Sequence, residues 1–372
     1  MASDGTRLVL GGDVMTGRGI DQVLAHPVSP ELHEDFVKDA RTYVELSARA
    51  NGAVPGPVEP AWPWGDALAV MDAFSPAVRL LNLETSITTS DHWARGKAVT
   101  YRMSPENVEV LTAAGADVWA LANNHVLDYG EAGLLETLDV LGRPGLTTTG
   151  AGADEAEAWR PAVVETGSGR RVVVLAVGDT SSGVPPEWAA GPRRPGVALL
   201  PDLGRRTAER VAGRLQEDSR PGDLCVVSVH WGSNWGYDIP HGQRRFAHAL
   251  VDAGVHVVHG HSSHHPRPVE VYRGHLVLYG CGDLVNDYEG IGGYEVFRDD
   301  LRALHLARLD PATCGVEALH LVPLLARRLR LERAGTDDAR WLAHTLTRAG
   351  RSLGTAFQAG EDQAGPVLDL LW

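Results

Sequence analysis

Short apolar runs alternate along the chain with stretches of helical spacing. Residues 7–14, 78–83, 118–122, 171–177, 225–229 and 255–259 are rich in Val, Leu and Ala and are bounded by glycine or polar residues, the signature of buried strands. Between them, residues 105–114, 134–141, 203–215 and 243–253 carry apolar positions three and four apart and predict helices. Pro105 falls in a first turn, where its missing N–H costs nothing. Residues 163–164 and 171–177 predict strands joined by a turn at 167–169. Residues 98–103 add a further strand, 301–309 and 316–323 a strand pair, and 338–348 a helix. Strands alternating with helices argue for an α/β fold with helices on the faces of a central sheet, and the hairpins make that sheet mixed.

Some segments lack periodicity. Residues 22–64 mix His, Pro and charge, and read as an insertion with one helix that covers part of the mouth of a site. The arginine-rich stretch 326–333 reads as a solvated face, with an anion or partner site as the alternative. No internal repeat or low-complexity linker marks a boundary. The expected organisation is one domain over 1–330, interrupted by the 22–64 insertion, and a C-terminal helical extension over 331–372.

Most of the apolar runs end in polar groups. The first delivers Asp13, with Arg18 in the loop beyond, and the second delivers Glu84. The third delivers Asn123, Asn124 and His125, with Asp128 following; the last two deliver His230, and then His259, His261, His264 and His265. In open α/β sheets ligands bind beyond the carboxyl ends of strands, where side chains from separate loops converge. Ordinary alternatives exist for single residues. Asp13 or Asp128 can cap a helix, and Asp283 and Asn286 can stabilise a turn or support a ligand from behind. Two carboxylates, a carboxamide and several imidazoles without cysteine suit one or two divalent transition-metal ions, manganese, iron(II) or zinc. Two ions about 3.5 to 4 Å apart lower the pKa of a shared water, so the expected reaction class is hydrolysis through a metal-activated hydroxide.

Composition narrows the picture. The 372 residues are 44% hydrophobic and 22% charged, ordinary for a folded globular chain. A formal net charge of −14 argues against nucleic acid as a partner, whereas an anionic substrate, small or oligomeric, is compatible if metal supplies local positive charge. Three cysteines in no paired spacing indicate neither a disulfide framework nor a thiolate zinc site and fit a reducing compartment. The N-terminal segment MASDGTRLVLGGDV has no leader character and no run approaches the length of a membrane span, so a cytoplasmic protein without membrane insertion is expected, with homo-oligomerisation left open.

The motifs GDVMTGR, LNLETSIT, ALANNHVLDYG, VSVHWG, GHSSH and YGCGDLVND, in this order, resemble the capsule-synthesis CapA family of poly-γ-glutamate biosynthesis proteins, within the calcineurin-like metallophosphoesterase superfamily. The resemblance covers roughly residues 7–290. It implies mixed sheets packed in a sandwich with flanking helices. It also implies Asp13 on one ion, Glu84 as the bridge, Asn124 and His230 on the second ion, His261 on the second and His264 on the first. His125 resembles a histidine that protonates a leaving group, with Asp128 orienting it, and Arg18 and Arg102 resemble grips for a substrate carboxylate or phosphate. Three departures stand out: Met15 where a second ligand is usual, Glu84 in place of an aspartate, and G-H-x-x-H in place of G-H-x-H. The last leaves His259 and His265 as substitutes, and occupancy at one ion or two. The implied activity is a metal-dependent hydrolase for a phosphoester or a γ-glutamyl-type amide in poly-γ-glutamate or capsule metabolism. The rival readings are a non-catalytic polymer-binding component of an exopolymer synthase and a tailoring enzyme for amide chemistry on a carboxylate-rich metabolite.

Overall fold

The computed structural model describes residues 5–167 and 169–372. Residues 1–4 of the N-terminal segment, and Ser168 at the centre of the expected 167–169 turn, lie outside the described residues. Six strands deliver most residues of interest: β1 (Thr6–Val14), β2 (Val78–Leu83), β3 (Val118–Ala120), β4 (Leu224–His230), β5 (Val257–His261) and β6 (Asp283–Val285). In a ten-stranded mixed sheet β1 is central, parallel to β2 and antiparallel to Leu301–Leu309, and β6 joins its carboxyl end in parallel with Asp13 opposite Asp283. A six-stranded sheet holds β4 and β5 side by side and parallel, with His230 opposite His261.

Period-two alternation explains how the sheets stack. Along Arg171–Gly178, Val172, Val174 and Ala176 join Leu8, Leu80 and Val118 in the core between the two sheets. Their neighbours Val173, Leu175 and Val177 face the other way and pack with Val211, Leu215, Phe246 and Leu250 of the helices Arg205–Asp218 and His241–Asp252. Each such buried Val, Leu or Phe contributes about 1.5–3 kcal/mol. The result is the expected α/β architecture, two mixed sheets in a sandwich with flanking helices. Among the described residues no helix is long and apolar enough to cross a membrane.

Several elements differ from expectation. Residues 331–372 form no separate helical extension: besides the helix Thr336–Gly350, they supply the hairpin of Ala356–Asp362 and Gly365–Leu371, which pairs with Val316–Ala326 and widens the ten-stranded sheet. Its pattern is weak because few of its side chains, Phe357, Leu368 and Leu370, are buried. The strand expected at 98–103 shortens to Arg102–Met103, and the helix at 105–114 divides into a 3₁₀ turn, Pro105–Asn107, and Glu109–Ala113. The 22–64 segment holds the helix Arg41–Asn51 and anchors itself through buried Trp64, whose indole N–H donates to the Val110 carbonyl. Three of the four arginines in 326–333 form ion pairs, Arg328 with Glu332, Arg330 with Asp66 and Arg333 with Asp362.

The site depends on a close approach at Gly12. A Cβ there would lie 1.6 Å from the Gly282 carbonyl oxygen, in the strand end that pairs β1 with β6. Gly12→Ala is expected to lower unfolding free energy by about 3 kcal/mol or more. Gly213→Ala, in an open position of a helix, is expected to raise it by about 0.5–1 kcal/mol. Denaturant melts of both variants check this pair, and equal midpoints would contradict it.

Candidate metal centre

Asp13, Glu84, His230, His261, His264 and Asp283 meet, all buried, where the carboxyl ends of both sheets converge. Each strand or strand end contributes one or two side chains. Asp13 stands at the end of β1, fixed by the Asn82 amide, which donates to its Oδ1 at 2.8 Å and to Glu84 Oε2 at 3.1 Å. The Ser262 backbone N–H crosses from the other sheet to Asp13 Oδ2 at 3.1 Å. Ser262 holds φ 100, an unusual conformation for a residue with a side chain, and such strain gathers where a loop must aim a group.

Among the described residues, two groups of donor atoms are close enough to hold a cation, Asp13 with His230 and His261, and Asp13 with His264 and Asp283. The shared residue is Asp13, whereas the resemblance gave the bridge to Glu84. Glu84 lies alongside, its Oε1 3.7 Å from His230 Nε2 and 3.9 Å from His125 Nε2. Asn124 is half-buried with Oδ1 3.0 Å from His230 Nε2.

A hydrogen-bond chain orients His261. The Gly11 carbonyl can only accept, so His259 Nε2 donates to it at 2.9 Å and His259 Nδ1 must accept from the Ser228 hydroxyl at 3.0 Å. Ser228 Oγ therefore accepts from His261 Nε2, 2.9 Å away. The lone pair of His261 Nδ1 is left facing His230 and Asp13 Oδ1, the latter at 3.7 Å. His259 is thereby a support and not a substitute ligand. His265 has Nδ1 on the Pro266 carbonyl, Nε2 on the Gly236 N–H, and its ring stacked on Phe297, which also removes it from the donor set.

Electrostatics test whether these residues fit a metal. Burial, reinforced by Asp283, raises the Asp13 carboxyl to about 7, and burial beside Asp13 and Asp283 raises Glu84 well above the carboxylate range. Burial pushes His230 and His261 well below the usual imidazole value, leaving them neutral. At His264 burial is outweighed by Asp283, 2.9 Å from Nδ1, and the value rises. Crowded acids and neutral imidazoles are a donor set whose repulsion a divalent cation relieves, and the absence of thiolate suits a borderline ion. The fit is good.

Other expected site residues fall outside these groups. His125 Nδ1 lies 2.6 Å from Asp128 Oδ2, which also accepts the Tyr101 N–H, so Asp128 is placed to orient His125. Arg18 does not reach this cluster: its guanidinium is buried against Asp287, Glu34 and Tyr43, and stacks on Tyr43 and Tyr101. Arg102 contacts the Ser90 carbonyl, Asp91 and the Tyr129 ring, none of them a metal-ligand candidate. A guanidinium reads as a substrate grip from sequence, but here buried acids and loop carbonyls use its donors. Three residues escaped sequence reasoning or were undervalued. Asp283 looked like a turn residue, although its place after YGCG was a signal. Asn82 hid inside an apolar strand. Lys97, which contacts Asp128 and the Asn124 carbonyl and lies 3.2 Å from His125 Nδ1, sits in a loop without pattern.

These features define the class, an α/β sandwich protein with a candidate metal centre at the joined strand ends. The chain belongs to the bacterial capsule synthesis protein family PGA_cap, whose model matches residues 7–288. It is 52% identical to a probable polyglutamine synthesis accessory protein found in two strains of Mycobacterium tuberculosis, over 94% of this chain and 93% of that one. It is 27% identical to the PGA biosynthesis protein CapA of Bacillus subtilis, over 74% of this chain and 62% of that one. A solved structure, TT1561 of Thermus thermophilus, aligns at 12% identity and TM-score 0.34, over 68% of this chain and 93% of that one.

Metal affinity should rise with pH. Below about 7 the Asp13 carboxyl holds a proton that competes with the cation, and burial beside Asp13 favours a proton on Glu84 as well. Manganese titrations at about pH 6 and about pH 8 should therefore give weaker binding at the lower pH, with protons released on binding. Equal affinity at both would contradict the assignment.

Proposed function

We propose that this protein is a metal-dependent hydrolase acting in polyglutamate or capsule metabolism, on a phosphoester or a γ-glutamyl-type amide of an anionic substrate. The observation that carries this reading is His125, held by Asp128 beside the donor groups with Nε2 turned toward Glu84. A protein that only stored metal would have no use for an oriented imidazole at that place.

One or two manganese, iron or zinc ions, bound by Asp13, His230, His261, His264 and Asp283 with Glu84 and Asn124 adjoining, would supply Lewis-acid polarisation of the substrate and a more acidic water. The chain supplies the rest. Burial holds His125 down to about 4, against the pull of Asp128, so at neutral pH its ring is neutral with Nδ1–H directed to Asp128. Nε2 then accepts a proton as the bond is attacked and returns it to the leaving group. Lys97 pairs with Asp128 and limits how far that carboxylate can swing. Tyr101 packs its ring against His125 at 4.5 Å and screens the dyad from water.

The proposal includes a cytoplasmic setting, supported by the cysteines Cys225, Cys281 and Cys314, which are all free and buried. A net charge of −14 supports a partner other than nucleic acid, and self-association is a further part of the proposal. A second reading, a non-catalytic component that binds polymer for a synthase, draws on the word accessory in the name of the Mycobacterium tuberculosis relative.

Turnover of a small phosphate ester or of a γ-glutamyl oligomer by metal-loaded protein separates the two readings and selects the bond; no turnover of either favours the binding component. His125→Ala is expected to lower turnover by about 10²–10⁴-fold with metal content unchanged. Loss of metal together with turnover would remove His125 from the proton-transfer role.

A further inference from the structure

Arg302 is a buried guanidinium in the strand Leu301–Leu309 with no direct carboxylate partner among the described residues. Its Nη1 donates to the Asp299 carbonyl, its Nη2 to Asn286 Oδ1 at 2.9 Å, and its Nε has no hydrogen-bond partner among the described residues. Burying a cation this way costs several kcal/mol unless its charge is answered nearby. A cavity of about 430 Å³ borders it. Glu289, Glu295, Asp299 and Asp300 also line that cavity, and Asp299 and Asp300 interact electrostatically with the guanidinium.

A second link from Arg302 runs through Asn286. Its Oδ1 accepts from both Arg302 and the Tyr288 N–H, the latter at 3.1 Å, so the carboxamide cannot be reversed without setting donors against donors. Its Nδ2 is therefore directed to Asp283 Oδ2 at 2.6 Å. Asp283 in turn has Oδ1 2.9 Å from His264 Nδ1, and both belong to the second donor group with Asp13. The sequence thus lines up a cation, a carboxamide of fixed sense, a carboxylate and an imidazole.

We propose that Arg302 is a positioning residue for the candidate metal centre: through Asn286 it fixes the orientation of Asp283, and so sets the affinity of the Asp13–His264–Asp283 group for a divalent cation. This rests on reading that group as metal ligands. Without Asn286, Asp283 Oδ2 loses the partner that keeps Oδ1 toward His264. Neighbours that orient metal ligands are worth about 10–100-fold in affinity.

Calorimetric titration with manganese tests this on the full chain of wild type, Arg302→Met, Arg302→Lys and Asn286→Ala, with circular dichroism and thermal melts alongside. The expected result is that Arg302→Met and Asn286→Ala bind manganese about 10–100-fold more weakly at one site. Arg302→Lys, which keeps the charge and a donor, should recover part of the loss. If Arg302→Met does not fold, Asn286→Ala carries the same readout, because it removes the link and leaves the arginine. Lower melting temperatures with wild-type affinity in the variants would overturn the positioning role and leave the metal centre standing. Failure of the wild type to bind manganese, iron(II) or zinc would overturn both.

Discussion

Three carboxylates, Asp13, Glu84 and Asp283, are buried together at the point where two sheets end, and they cannot all stay ionised there without a cation. Two unit charges 4 Å apart repel by about 4 kcal/mol at an effective dielectric of 20, a large fraction of the stability of an ordinary domain. Nothing in packing requires this crowding. Apolar residues would fill the same space at lower cost, so the acids are understandable only through what they bind. In the metal-free chain, protons on Asp13, Glu84 and His264 take the place of the cation.

The surrounding structure serves that cluster. Parallel β1 and β2 bring Asp13 and Asn82 to the same register position, and parallel β4 and β5 do the same for His230 and His261. Gly12 lets β1 approach the 282–283 segment closely enough for Asp283 to face Asp13. Behind the exposed nitrogens, the Gly11–His259–Ser228 chain fixes the tautomer of His261, and Asn123 ties the His125 and Val126 amides to the Leu83 carbonyl. Histidines whose ring nitrogens are spent on backbone groups and a hydroxyl are framework, and those with a nitrogen facing Asp13 or Glu84 are the chemistry. This division separates His259 and His265 from His230, His261 and His125.

Much of this was legible in the sequence because two signals reinforce each other. Buried strands announce themselves by apolar runs, and polar residues at the ends of those runs stand where α/β sheets bind ligands, which brought Asp13, Glu84, Asn124, His125, His230, His261 and His264 into view together. What stayed hidden depends on direction and not on residue type. Arg18 and Arg102 have the chemistry of substrate grips, but Asp287, Glu34 and Asp91 claim their donors, and no local pattern reveals a partner 269 residues away. Asp283 and Asn286 look like turn formers because the short strand that holds Asp283 and ends just before Asn286 has its ladder partner, β1, far off in the chain. The 356–371 hairpin escaped because it covers the sheet at its edge and has little apolar face to show.

Central to this account is the claim that the buried acids and imidazoles are a metal centre. Elemental analysis of protein purified without chelator, and again after incubation with manganese, iron(II) and zinc, tests it most directly. The account predicts one or two equivalents of divalent transition metal per chain, lost when Asp13 is replaced by alanine in a variant that still folds. A folded wild-type protein that holds no metal under any of these conditions would contradict it.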